Sequence, residues 1–63
     1  MRTFSCFIHE QQSSVPGLTF IIAATLERAQ ELARRELLKA KGATAVEICE
    51  GAQLLWTEAA NQA

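Results

Sequence analysis

The sequence predicts an α+β domain of ββαββ type, a four-stranded, mainly antiparallel sheet with one helix packed on one face. Three observations carry this. One run, Thr25 to Gly42, is long and periodic enough to be a helix, two extended apolar runs precede it, and two follow it. Two hairpins joined by a helix, with a right-handed crossover, give the strand order 2-1-3-4, in which every pairing is antiparallel.

The first strand spans Thr3 to Glu10, with Phe4, Cys6 and Ile8 on one face and Thr3, Ser5, Phe7 and His9 on the other. Gln11 to Gly17 is polar and ends in Pro16-Gly17, a pair suited to the centre of a type II turn, so it reads as the first loop. Leu18 to Ala24 is apolar on both faces. Leu18, Phe20 and Ile22 are assigned to the core, and Thr19, Ile21 and Ala23 to the reverse.

In the helix, Leu26, Ala29, Ala33, Leu37 and Ala40 fall in one sector with Leu32 at its edge, and the charged residues lie opposite. Thr25 is placed to cap the first free N–H groups, and Gly42 to take the left-handed conformation after the last turn. Glu31 and Arg35 form an i,i+4 pair. Leu38 projects from the polar side as an isolated apolar residue.

After the helix, Thr44 to Glu50 sets Val46 and Ile48 against Ala45, Glu47 and Cys49, and Gln53 to Glu58 sets Leu54 and Trp56 against Leu55 and Thr57. The apolar pairs share a face only if the connection has odd length. A three-residue loop, Cys49-Glu50-Gly51, with Gly51 left-handed, meets that condition. The covered face then holds Phe4, Cys6, Ile8, Leu18, Phe20, Ile22, Val46, Ile48, Leu54 and Trp56. Residues 1–58 form a single domain, and the tail 59–63, without periodicity, is expected to fray.

At 63 residues the chain supports one core that leaves a large share of its surface in water. A formal net charge of −1 gives no long-range field for nucleic acid or an anionic membrane. Five of the six basic residues sit on the helix, interspersed with Glu31 and Glu36, as on an ordinary solvated face. The segment MRTFSCFIHE lacks the apolar centre of a secretory signal, and no apolar run approaches the ~18 residues of a membrane span. The expectation is a cytoplasmic protein with Cys6 and Cys49 as free thiols.

Catalytic sets are sparse. The single histidine, with neither aspartate nor tyrosine in the chain, leaves no Ser-His-Asp triad, and no glycine-rich loop could cradle phosphate. Cys6, His9 and Cys49 offer thiolates and an imidazole for zinc or thiol chemistry. Positions three apart on a strand face opposite ways, however, which separates Cys6 from His9 and leaves Cys49 with His9 as the remaining pair. The glutamates sit as solvated charges rather than as a paired acid and base, and Ser13 and Ser14 are ordinary loop serines. No enzyme activity, cofactor, metal or small-molecule ligand is therefore expected.

What remains is the sheet face away from the helix, assigned Phe7, Ile21, Ala23, Cys49 and Leu55 among Thr3, Thr19 and Thr57. An apolar patch there points to protein–protein association, as a homodimer or with another protein, which would also relieve the small core. An RNA platform is disfavoured, because only Phe7 could stack and the last three strands carry neither lysine nor arginine.

The run Thr25-Leu26-Glu27-x-Ala29-x-x-x-Ala33-x-x-x-Leu37, preceded by Pro16-Gly17, resembles the strand-to-helix part of Hic-type antitoxins. That resemblance covers about a third of the chain and implies an RNA-cleaving toxin as partner. The chain departs from the family in having one strand, not two, before the Pro-Gly pair. As a whole it resembles short, uncharacterised bacterial proteins that occur as single ββαββ domains, which implies the architecture alone.

Overall fold

A computed structural model describes residues 1–60. Strands β1 (Arg2–Glu10) and β2 (Ser13–Ala23), helix α1 (Leu26–Lys39), and strands β3 (Ala43–Glu50) and β4 (Gln53–Ala59) follow in order. The sheet order is β2-β1-β3-β4 with every pairing antiparallel. This is the ββαββ arrangement read from the sequence, in the strand order expected.

Helix α1 is set by local chemistry. Thr25 Oγ1 accepts from the Arg28 backbone N–H at 3.2 Å; at the other end Ala40, in an extended conformation, donates its N–H to the Glu36 carbonyl, and Gly42, at φ +77°, turns the chain into β3 rather than ending the helix as expected. Glu31 lies 2.6 Å from Arg28 and 3.8 Å from Arg35. Ala29 and Ala33 are buried completely, with Leu26, Leu32, Leu37 and Ala40 packed around them. Two methyl groups at the centre of the buried stripe let the helix axis approach the sheet closely. They share one core with Phe4, Cys6 and Ile8 of β1, Ile21 and Ala23 of β2, and Val46 and Ile48 of β3. Leu38 stands in solvent, as expected.

The first hairpin differs from the expected one. Its turn is only Gln11-Gln12, and Pro16-Gly17 lies inside β2. Proline is tolerated there because β2 is an edge strand, where a ladder N–H can be dispensed with. The register pairs Phe4 with Ile21 and Ser5 with Phe20, so Ile21 and Ala23 join the core while Leu18, Phe20 and Ile22 face outward. The expected facing of β2 is thus reversed. Both of its faces are apolar, so alternation does not fix which one turns inward, and a one-residue change of register exchanges them.

The second hairpin meets its parity condition by another route. Glu50 pairs with Gln53 across Gly51-Ala52, and Gly51 has φ +60°. A bulge follows, since Cys49 pairs with Leu54 but Ile48 with Trp56, and Leu55 is the extra residue. Trp56 therefore shares the covered face with Ile48, as expected, but Leu54 is turned out and Leu55 packs against the core.

Two arginines close the ends of the covered face. The Arg2 guanidinium stands 4.7 Å from the centroid of Phe4 and donates to both carboxylate oxygens of Glu50, at 3.0 and 2.8 Å. Arg34 lies 5.2 Å from Trp56 and 3.3 Å from Glu58. Ala59, the first residue of the expected tail, belongs to β4, and the Ala60 N–H donates to the Thr44 carbonyl at 2.8 Å. Residues 61–63 of that tail lie outside the described residues.

Candidate interaction surface

The register lines the open face up in rows across the sheet. Ile22 stands beside Thr3. Phe20, Ser5, Cys49 and Leu54 form a row across all four strands, and Leu18, Phe7, Glu47 and Thr57 form the next. His9, Ala45 and Ala59 complete the set. Among the described residues its one contact between ionisable side chains is His9 Nε2, 2.6 Å from Glu47 Oε1. None of the strand residues on this face is lysine or arginine.

Exposed apolar area is concentrated on β2. Leu18, Phe20 and Ile22 are 52, 64 and 64% exposed, against 6% for Ile21 and 2% for Ala23. At the opposite edge Leu54 adds a second exposed group. Between them Phe7 and Cys49 are half-buried on the face itself.

Of the five residues expected on this surface, Phe7 and Cys49 stand on it. Ile21 and Ala23 are corrected to the core, a consequence of the register of β2, and Leu55 to the core margin, a consequence of the bulge. Leu18, Phe20, Ile22 and Leu54 take their places. Thr3 and Thr57 lie on the face, while Thr19, paired with Cys6, projects to the helix side at the exposed edge. Thr19 lines a groove between β2 and α1 together with Ile21, Leu32, Arg35, Glu36 and Lys39. No sequence signal separated the outward row from the inward one, since both faces of β2 are apolar and only the pairing with β1 distinguishes them.

The thiol and imidazole groups are dispersed. Cys6 is buried among the core side chains, and burial, reinforced by the Glu36 carboxylate, raises its thiol pKa, so it stays protonated and inert. Cys49 pairs with Ser5 and His9 with Ala45, which separates Cys49 from His9 by four residues along the strands, ~13 Å at 3.3 Å per residue. The thiol–imidazole pair considered from the sequence is not assembled. Among the described residues no three metal-ligating side chains converge, and no helix is long and apolar enough to cross a membrane.

Other charged contacts lie at the surface, away from this face. Arg2 holds the Glu50 carboxyl below its ordinary range, and Arg28 does the same for Glu31. Both pairs lie in solvent and belong to the rim and the helix, not to the open face. Comparison of the chain with protein-family models, with curated proteins and with solved structures finds no match in any of the three.

Proposed function

We propose that this domain is a non-enzymatic association module whose open sheet face, centred on β2, binds a second copy of the chain. The observation that supports this most directly is the row Leu18, Phe20 and Ile22, three large apolar side chains left in water on a strand with no charged residue from Ser13 to Ala23. Leaving such a row solvated forfeits hydrophobic free energy of about 25 cal/mol per Å² of apolar surface, and covering it recovers that energy. Because β2 carries no charged residue, two copies can approach along it without like-charge repulsion. For the same reason it offers nothing to hold a phosphate backbone.

Sedimentation velocity across a dilution series, from ~1 µM to ~1 mM, tests this. The expected result is a rise from the 6.9 kDa monomer toward twice that mass, abolished by Phe20→Glu with the circular dichroism spectrum unchanged. A wild-type chain that remains monomeric throughout overturns the proposal, as does undiminished association of Phe20→Glu.

A further inference from the structure

We infer that the second copy docks on the free edge of β2, antiparallel to its own β2 across a two-fold axis, so that the two sheets join into one of eight strands. This rests on the association reading above and specifies its geometry.

The two edges of the sheet are unlike. The β4 edge is seven residues long, carries the bulge at Leu55, and bears Glu58 paired to Arg34. Bulges, charges and shortness are the devices that discourage edge-to-edge pairing. The β2 edge lacks them where it matters. It is eleven residues long, has no charge, and keeps unbroken register with β1 from Gly17 to Ala23. Pro16 and the irregularity lie toward its start, leaving Leu18 to Ala23 as a clean strand with one side unpaired.

A strand read antiparallel to itself is self-complementary. With Phe20 on the axis, Phe20 meets its counterpart and Leu18 meets the other chain's Ile22, so each of these side chains buries the flank it turns to the other copy by cross-strand contact. On the helix side Thr19 meets the other chain's Ile21 at the floor of the groove beside α1. The groove wall carries Arg35 and Lys39 with Glu36 between them, and Glu36 is already 3.3 Å from Lys39; it is the strand itself, uncharged from Ser13 to Ala23, along which two copies can meet without like-charge repulsion. Face-to-face stacking is less well served, since on the inner strands Phe7 and Cys49 are half-buried and stand among Thr3, Ser5, His9, Ala45 and Glu47, and the large exposed groups lie at the margins of the face.

Two single variants separate the geometries. Thr19→Lys places a charge on the β2 edge without altering the open face, and in the monomer Glu36 lies on the same groove to receive it. Leu54→Lys charges the open face at the far edge. By sedimentation, Thr19→Lys is expected to weaken association by ~10-fold or more, because symmetry introduces two buried lysines, whereas Leu54→Lys stays within ~2-fold of wild type. The opposite ranking, or equal losses from the two variants, overturns edge pairing while the association surface stands, and a monomeric wild type overturns both. As a check independent of either variant's folding, amide exchange in β2 should slow with wild-type concentration while that in β4 does not; equal slowing of both, or of neither, overturns the proposal.

Discussion

Exchanging one methyl-rich side chain for alanine at two adjacent positions, Ile21 and Ile22, reads out the facing of β2 directly. Ile21 is buried in the core beside Ala23 and opposite Phe4, and Ile22 stands in solvent beside Thr3. Truncating a buried isoleucine to alanine costs about 2–5 kcal/mol, depending on how far the site relaxes. Ile21 borders the groove lined by Thr19 and Leu32, whose open side allows relaxation, so the lower end, about 2 kcal/mol, applies. At roughly 4–8 °C per kcal/mol for a domain of this size, Ile21→Ala should lower Tm by roughly 8–16 °C. Ile22→Ala should stay within about 0.5 kcal/mol. Thermal unfolding followed by circular dichroism at low micromolar protein keeps association from adding to apparent stability. A larger loss for Ile22→Ala than for Ile21→Ala would refute the inward facing of Ile21 and, with it, the outward row.

Other consequences concern the helix, the ion pairs and the thiols. Ala33 is fully buried against the sheet, so Ala33→Leu should destabilise by about 1–3 kcal/mol in urea unfolding through overpacking; a neutral or stabilising effect would mean the helix stands off the sheet. Thr25→Ala should cost roughly 0.5–2 kcal/mol by the same measurement, through loss of the cap on the Arg28 N–H. The Glu50 carboxyl is held down by Arg2. A folded-state pKa below the unfolded one gives a contribution that is present above the ordinary glutamate value of about 4.3 and is lost as pH falls through the folded value. Carboxyl titration by NMR should therefore show Glu50 moving upward in Arg2→Gln, and an unmoved Glu50 counts against the pair. Cys49 should react with a thiol reagent in the native protein while Cys6 reacts only on unfolding; two fast thiols would contradict the burial of Cys6.

How much of this was readable in the sequence depended on whether one face of each element was unambiguous. The helix carried its own instructions, because Leu26, Ala29, Ala33, Leu37 and Ala40 stand alone among charged neighbours and Thr25 is placed to cap. β1 and β3 were equally clear, Phe4, Cys6 and Ile8 alternating with mostly polar residues, and Val46 and Ile48 with Ala45, Glu47 and Cys49. β2 was not, since both of its faces are apolar and Pro16-Gly17 has the composition of a turn. Only the register with β1, set by the two-residue turn and the irregularity between Ile8 and Glu10, decides which face turns in. In β4 a bulge supplies the odd residue that a longer loop was expected to supply, and it exchanges Leu54 with Leu55. The open face as a surface was thus foreseeable, while three of the five residues assigned to it depended on pairings that pattern alone does not encode. The guanidinium lids over Phe4 and Trp56 were hidden for a related reason: Arg2 meets Glu50, and Arg34 meets Trp56 and Glu58, only after folding brings distant segments together.

That the chain meets another copy of itself through the outward row of β2 is tested most directly by residue-resolved NMR spectra recorded over a protein dilution series. Signals of Leu18, Phe20 and Ile22 should shift with concentration while those of the outer helix face, such as Leu38, hold still. Spectra that do not change with concentration, or changes confined to the helix, would contradict it.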